Sequence, residues 1–223
     1  MKVLAAIIFV IGGAVAAWAQ SEQSPIVEKQ LEYKNWSYKN VRSGEGMDLR
    51  DLASGKKLVL VVYFAQWCPN WRHEAPFVEA LYEKYKPVGL DVIGISEYDT
   101  VAATKANLDS LKITFPVVYE SETRDARTST LHFQYRTTTG DKRKWGSPWN
   151  IFILPQTAEK KGDVLLRNAP VVNGELIEAE AETFVRQKLG IAETDKMTAS
   201  SEKKKDAAEV CDPEDQTTTL KKP

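Results

Sequence analysis

Residues 58–71 read Leu-Val-Leu-Val-Val-Tyr-Phe-Ala-Gln-Trp-Cys-Pro-Asn-Trp, and this stretch decides the fold of the chain. The apolar, valine-rich run at 58–65 is typical of a strand that is buried on both faces of a mixed or parallel sheet. Pro69 suits the first turn of a helix, where its missing N–H costs nothing. Cys68 is therefore predicted to lie at a helix N-terminus, where partial positive charge and unpaired N–H groups favour a thiolate over a thiol.

The pattern on both sides of this stretch alternates strands and helices. A helix is predicted over 69–85, because apolar residues recur there at alternating spacings of four and three, with a kink at Pro76. The order strand, helix, strand, helix, strand implies right-handed crossovers in an α/β sheet. The remaining predicted strands are 36–41, 90–96, 115–119, 149–154 and 164–167, the last two paired as a hairpin, and the remaining predicted helices are 101–111 and 178–189. Residues 121–135 are compatible with a helix, and 136–146 are predicted to form a loop.

The N-terminus has the pattern of a secretory signal peptide. Lys2 precedes an almost wholly apolar stretch, and Ala17-Trp18-Ala19 has small residues where signal peptidase cleaves. We predict cleavage after Ala19 and a secreted or periplasmic protein with no stable membrane anchor. A retained membrane anchor is the alternative, but the apolar stretch is short for a span, which needs about 20 residues.

Length and composition predict one globular domain. The chain has 223 residues, of which 43% are hydrophobic and 27% are charged, with a formal net charge of −1. With no basic patch in the sequence, nucleic acid is not expected as a partner. We divide the chain into a signal peptide (1–19), a polar linker (20–30), a globular domain (31–190) and a polar tail (191–223) that is predicted to be disordered because it has few large apolar residues.

Three stretches carry a family resemblance. They are 61–69 (Val-Val-Tyr-Phe-Ala-Gln-Trp-Cys-Pro) with Glu74-Ala75-Pro76, then 82–96, and 113–118 (Ile-Thr-Phe-Pro-Val-Val). On these residues the chain resembles the thioredoxin-like superfamily, specifically the secreted TlpA/ResA-type thiol-disulfide oxidoreductases and related redoxins. The resemblance implies an α/β thioredoxin-like fold, with a central mixed β-sheet flanked by helices.

The resemblance also implies roles for single residues. Cys68 matches the cysteine that attacks a disulfide, whereas Trp71 replaces the second cysteine that resolves the mixed disulfide. Pro148 matches the proline that is cis in thioredoxin folds, with Pro116 as a rival candidate. The expected catalytic residue is Cys68, the expected partners are protein or small-molecule thiols and disulfides, and the expected substrate-binding residues are Trp67, Pro69, Trp71, Ser147 and Pro148.

Three further titratable side chains, Glu97, His73 and His132, have to be placed relative to Cys68. Glu97 follows the strand at 90–96 and is a candidate for tuning the pKa of the cysteine, as a glutamate does in some secreted relatives; the alternative is an ordinary loop carboxylate. His73 is predicted to be a surface residue, because five helical positions place it about 140° around from Cys68. His132 cannot be placed, and the spacing of histidines and cysteines predicts neither a metal site nor a cofactor.

Three functions remain open. The first is monothiol redox or mixed-disulfide chemistry through Cys68, and the second is a catalytically inactive binding module that uses the groove beside Pro148, with Cys68 as an inert relic. The third is a hydroperoxide-reducing redoxin, which is disfavoured because Val61 and Ala65 occupy the places of the proline and threonine that such chemistry needs. A disulfide between Cys68 and Cys211, which lies in the polar tail, is one alternative, but two unpaired thiols or an intermolecular link through Cys211 are favoured.

Overall fold

The structure is a computed structural model that describes residues 22–192. The predicted signal peptide, the tail beyond residue 192 and the state of Cys211 lie outside the described residues. The strands are β1 (Gln23–Ser24), β2 (Val27–Lys34), β3 (Ser37–Asn40), β4 (Gly46–Asp48), β5 (Leu58–Phe64), β6 (Leu90–Ser96), β7 (Val117–Tyr119), β8 (Trp149–Ile153), β9 (Val164–Val172) and β10 (Glu175–Leu176). The α-helices are α1 (Leu49–Ala53), α2 (Pro69–Tyr85), α3 (Val101–Ser110), α4 (Leu131–Thr138) and α5 (Glu178–Leu189), and short 3-10 helices cover Lys86–Val88, Arg124–Ser129 and Pro155–Thr157.

A mixed sheet forms the centre of the fold, with the strand order β2-β9-β8-β5-β6-β7-β3-β4. Strands β5, β6 and β7 run parallel, whereas β8 is antiparallel to β5 and β9 is antiparallel to β8. Helices α2 and α3 make the two crossovers between the parallel strands, as the alternating pattern predicts. The predicted α/β fold with a central mixed sheet flanked by helices is therefore confirmed.

Strand β5 is buried on both faces, because the two hydrophobic clusters of the protein meet on it. Leu60 and Val62 lie in the cluster that includes the inward faces of α2, α3 and α5. Val59 and Val61 lie in the opposite cluster, with residues of α1 and α4. A run of seven buried residues in β5 thus follows from its central place in the sheet and explains the unbroken apolar sequence.

The N-terminal boundary of the domain needs a correction. The sequence predicts a loose polar linker at 20–30, but 23–24 form β1, which pairs with β10, and the strand β2 begins at Val27. Strand β2 is the edge of the sheet and pairs antiparallel with β9. Only one of its faces is buried, which is why its sequence is mostly polar.

The predicted hairpin between 149–154 and 164–167 is also corrected. Strand β8 pairs with the far end of β9, through Asn150 with Val172 and Ile151 with Val171. The beginning of β9 pairs instead with β2, where Val164 is the partner of Lys34. Strand β9 lies between β2 and β8: it pairs with β2 from Val164 to Val171, whereas only its last residues pair with β8.

Candidate functional site

Cys68 lies where the sequence predicts, at the junction of the central strand and the helix that follows it. It is the N-cap residue of α2, and Pro69 occupies the first helical turn. The Cys68 N–H donates to the carbonyl oxygen of Ala65 at 3.0 Å, which fixes the turn between β5 and α2. The side chain is fully buried, and its sulfur is disulfide-bonded in the structure.

The loop before β8 brings Ser147 and Pro148 to the sulfur. The Ser147–Pro148 peptide bond is cis, so the prediction for Pro148 is confirmed, and it is the only cis bond within residues 22–192. The carbonyl oxygen of Ser147 lies 3.3 Å from Cys68 Sγ. From the other side, the Ala65 N–H donates to Ser147 Oγ at 2.8 Å, so this loop is bonded to the end of β5.

Arg143 holds the same loop from outside. Its guanidinium donates to the carbonyl oxygen of Pro148 at 2.8 Å and to that of Ser147 at 3.4 Å. It also forms salt bridges with Asp141 at 2.7 Å and Glu22 at 2.8 Å. Because both carboxylates are mostly buried, the arginine is fixed in place, and its charge lies one carbonyl group away from the sulfur of Cys68.

Trp71 occupies the position of the missing second cysteine and is turned into the core. Its ring stacks on Phe64 with centroids 3.9 Å apart, and its Nε1 donates to Asn107 Oδ1 at 3.0 Å. The side chain is fully buried. Trp71 therefore ties α2 to β5 and α3, and these contacts account for a large aromatic residue at this place.

Trp67 and Pro69 flank the cysteine on its other sides. The Trp67 ring contacts the Trp145 ring edge-on, with centroids 5.2 Å apart. Pro69 is half-buried at the start of α2. The structure thus brings Trp67, Pro69, Ser147 and Pro148 together around Cys68, and it places Trp71 behind them in the core.

Glu74 is a buried acid that the sequence analysis did not select. It follows Cys68 by six positions on α2, a rise of about 9 Å along the helix. Its Oε1 accepts hydrogen bonds from Asn150 Nδ2 at 2.9 Å and from the Leu176 N–H at 3.2 Å. Burial raises the pKa of Glu74 to about 8, and the hydrogen bonds oppose that shift only in part. The carboxyl is therefore protonated at neutral pH.

A signal for Glu74 is present in the sequence. It stands three positions after Trp71 and four before Val78, both on the inward stripe of α2, so it faces the core. A carboxyl on a buried stripe is unusual, since acids are almost never fully buried without a partner. Its partner Asn150 lies two residues after Pro148, and the sequence gives no sign of that contact.

Glu97 is buried at the end of β6 and hydrogen-bonded rather than exposed in a loop. Its backbone N–H donates to the carbonyl oxygen of Phe64 at 2.8 Å, and its carboxylate accepts a hydrogen bond from Ser121 Oγ. Burial, followed by the nearby charge of Glu120, holds the pKa of Glu97 well above its usual range. Glu97 is therefore a buried acid in the loop after β6, and a role for it in tuning the cysteine stays a prediction.

The two histidines have different environments. His73 is exposed, as predicted, and its Nδ1 lies 2.6 Å from Glu175 Oε2. His132 is fully buried: its Nε2 donates to the carbonyl oxygen of Gly146 at 3.1 Å, and its Nδ1 accepts from Tyr98 Oη at 2.8 Å. Burial, followed by the charge of Arg136, holds the pKa of His132 well below its usual range. His132 is thus a neutral structural residue that supports the loop before Ser147.

Residues 22–192 contain no cluster of three or more His, Cys, Asp or Glu side chains arranged to hold a metal ion. Over the same residues, none of the helices has both the length and the apolar character of a membrane-spanning segment.

Comparisons with known sequences agree with this geometry. The model of the AhpC/TSA family matches residues 30–139. The chain is 30% identical over 81 residues to the thiol-disulfide oxidoreductase ResA of Bacillus cereus, a match that covers 36% of this chain and 46% of that protein. It is 38% identical over 60 residues to thioredoxin-2 of Saccharomyces cerevisiae, covering 27% of this chain and 57% of that protein. The chain thus spans about half the length of these curated relatives.

Solved structures show the same fold. A thiol:disulfide interchange protein of the thioredoxin family from Chlorobium tepidum superposes with a TM-score of 0.53 at 21% identity, covering 73% of this chain and 98% of that chain. A DsbF homologue from Corynebacterium diphtheriae superposes with a TM-score of 0.50 at 16% identity, covering 81% of this chain and 97% of that chain. These structures show that the chain has a thioredoxin-like fold, and the matched sequences show that it is similar to thiol-disulfide oxidoreductases of the ResA type.

Proposed function

We propose that the protein exchanges disulfides through the sulfur of Cys68, with no resolving cysteine one helical turn away. The observation that supports this most directly is the place of Cys68, at the N-terminus of α2 and 3.3 Å from the carbonyl oxygen of Ser147. A helix N-terminus stabilises a thiolate, which is the attacking form in thiol–disulfide exchange.

The proposed reaction has one covalent step. The Cys68 thiolate attacks one sulfur of a partner's disulfide, the partner's S–S bond breaks, and a mixed disulfide forms while the other partner sulfur leaves as a thiolate. Trp71 has no thiol to attack this adduct, so its release requires a thiol from elsewhere. The adduct is therefore expected to last longer than in a protein with two cysteines in this motif.

Two titratable groups, one cationic and one neutral, support the thiolate in this proposal. Arg143 places a fixed positive charge beside the Ser147 carbonyl, which favours an anionic sulfur. Glu74, with its pKa raised to about 8, is neutral at pH 7 and adds no negative charge below the sulfur. A site with one cation and one neutral acid favours the thiolate over the thiol.

The partners in this proposal are protein or small-molecule thiols and disulfides. A peptide would lie along the Ser147–Pro148 segment, with Trp67 and Pro69 as neighbouring contacts. We also propose a location outside the cytoplasm, on the strength of the signal-peptide pattern that ends at Ala19, and a single domain followed by a polar tail.

A binding module without turnover is the second candidate. Its support is Trp71, which fills the place of the resolving cysteine and is fully buried against Phe64. In that case the groove beside Pro148 would bind a peptide and no sulfur chemistry would follow. A hydroperoxide-reducing activity has less support, because Ala65, whose N–H binds Ser147 Oγ, has no hydroxyl to offer a peroxide.

Trapping the mixed disulfide distinguishes the two candidates. We would treat the reduced, folded Cys211→Ser protein with glutathione disulfide and measure its intact mass and the modified peptide. We expect a glutathione adduct on Cys68 and none in the matched Cys68→Ser/Cys211→Ser protein. If Cys68 is modified only after the protein is unfolded in denaturant, the exchange function is wrong and the binding module is favoured.

A further inference from the structure

Three cations lie on the two segments that flank the sulfur, and we call them the basic rim: Arg124, Arg127 and Lys144. The Arg124 guanidinium lies 4.9 Å from the Trp67 ring centroid. The guanidinium of Arg127 and the ammonium of Lys144 lie 5.4 Å and 5.8 Å from the Trp145 ring centroid. Since Trp67 immediately precedes Cys68, and Trp145 precedes Ser147 by two residues, the rim lies beside the site.

A hydrogen bond holds the two segments of the basic rim together. Arg127 Nη1 donates to the carbonyl oxygen of Lys144 at 2.9 Å, which joins the 3-10 helix Arg124–Ser129 to the loop before β8. The short helix carries one acid, Asp125, whereas the basic rim has three cations, so positive charge is in excess there. The Nε1 atoms of Trp67 and Trp145 are buried and have no hydrogen-bond partner in the structure. Positive charge and two unused donors suit a ligand that carries carboxylates and backbone carbonyls.

The chain itself contains a segment of the matching chemistry around its second cysteine. Residues 209–215 read Glu-Val-Cys-Asp-Pro-Glu-Asp, so Cys211 is surrounded by four acids and no base. The sulfur of Cys68 is disulfide-bonded, and Cys211 is the only other cysteine in the chain. The opposite charge and the presence of the second cysteine therefore both favour residues 209–215 as the segment that binds to the basic rim.

We propose that residues 209–215 bind to the basic rim and present Cys211 as the resolving thiol that the Trp71 position lacks. The proposal rests on the disulfide exchange at Cys68 proposed above. In the second step, the Cys211 thiolate attacks Cys68 Sγ of the mixed disulfide. The bond between Cys68 and the partner breaks, the Cys68–Cys211 disulfide forms, and the partner leaves as a thiolate. Over both steps two protein thiols are oxidised and one partner disulfide is reduced.

The length of the connecting chain permits this step. Nineteen positions separate Ala192, the last described residue, from Cys211. A flexible chain of that length has a root-mean-square reach of about 25 Å, which compares with a radius of about 20 Å for a domain of this size. A tether of this kind alone gives an effective concentration in the millimolar range, and charge attraction at the rim raises it further.

The test measures the intramolecular disulfide against glutathione. The reduced full chain is equilibrated in glutathione redox buffers at low salt, quenched in acid, alkylated, and analysed by non-reducing peptide mass spectrometry. We expect a Cys68–Cys211 linked peptide in monomeric protein. The double variant Arg124→Glu/Lys144→Glu should lower the equilibrium constant for this disulfide by roughly tenfold, since each exposed pair contributes up to about 1 kcal/mol.

Two further variants make the test specific. Asp212→Lys/Glu214→Lys, added to the rim variant, should restore the equilibrium constant by restoring opposite charges. The matched control Lys160→Glu/Lys161→Glu reverses two exposed charges before β9 and should change nothing. An equilibrium constant that is insensitive to both reversals, or a linked peptide found only in dimers, would overturn the proposal.

The two proposals fail in different ways. If the Cys211→Ser protein does not form the glutathione adduct at Cys68, the proposed function fails. If it forms the adduct, but the adduct decays equally fast with and without Cys211, the exchange function stands and the resolving role of Cys211 is wrong.

Discussion

Asn150 donates a hydrogen bond from Nδ2 to Oε1 of Glu74 at 2.9 Å, and so links the strand after the cis proline to the helix that Cys68 begins. The same Nδ2 also donates to the carbonyl oxygen of Gly174 at 3.0 Å. The acceptor in this hydrogen bond is the Glu74 carboxyl, which has a pKa of about 8. A group that titrates near neutral pH therefore lies on the same helix as Cys68.

The stability of the protein should therefore fall with rising pH through the titration of Glu74. The unfolded carboxyl ionises near the model value of 4.5, whereas the folded carboxyl keeps its proton up to about pH 8. Between these values the folded state binds more protons than the unfolded state, so the free energy of unfolding decreases as pH rises. The loss amounts to at most about 4–5 kcal/mol.

Glu74→Gln is the variant that isolates this effect, because it keeps the acceptor for Asn150 and cannot ionise. Urea unfolding at pH 5 and pH 8 should show a smaller decrease in the variant than in the wild type. An equal decrease in both proteins would mean that Glu74 does not titrate in this range. Other buried acids contribute equally to both proteins and cancel in the comparison.

Ser147→Ala should destabilise the protein by about 1–3 kcal/mol, because the buried Ala65 N–H loses its acceptor. Urea unfolding at pH 7 measures the change. The matched control is Ser110→Ala, which removes an exposed hydroxyl bonded to the carbonyl oxygen of Asn107, and it should change the stability by less than about 0.5 kcal/mol. Equal effects at the two positions would contradict the role given to the Ser147 hydroxyl.

Replacing Trp71 by cysteine should restore turnover in a protein that lacks Cys211. We expect Cys211→Ser to catalyse insulin reduction by dithiothreitol no faster than the uncatalysed rate, and Trp71→Cys/Cys211→Ser to catalyse it measurably. Trp71→Ser/Cys211→Ser is the control, since it leaves a similar cavity, at a cost of about 3–5 kcal/mol, without adding a thiol. Turnover by Cys211→Ser alone would contradict the need for a second cysteine.

Truncation after Ala192 should leave the melting temperature of the reduced protein within about 2 °C of the full chain. Helix α5 ends at Leu189 with Gly190 as its left-handed C-cap, and Ile191 already packs on the core. Calorimetry in reducing buffer makes the comparison without a disulfide. A large decrease would show that the removed residues contribute to folding even when Cys68 is reduced.

The elements with strong local patterns could be predicted from the sequence. Strand β5, helix α2, strand β6 and helix α5 have the expected bounds within one residue, because each has a continuous apolar run or a clear inward stripe. Strand β2 was missed, because an edge strand with one buried face has few apolar residues and depends on its pairing with β9. The pairing of β9 with two neighbours is a long-range property that no local pattern contains.

The candidate site could be predicted in part. Cys68, Pro148 and their neighbours follow from the motif and the resemblance, whereas Glu74 depends on a contact with Asn150 that is far away in sequence. The loop before the cis proline also requires a glycine at position 146, for a reason that the sequence does not reveal. Gly146 has a positive φ of 60°, and a Cβ there would lie 2.3 Å from Cδ of Arg136.

The salt bridge between Arg143 and Glu22 has a practical consequence for protein engineering. One guanidinium joins the beginning of the described chain to the carbonyl groups of Ser147 and Pro148. An affinity tag or fusion partner attached just before residue 22 would therefore start next to a side chain that shares its arginine with the Ser147 and Pro148 carbonyl groups. Such an attachment would compete with incoming partners for space, so a tag at that end should be removed before exchange rates are measured.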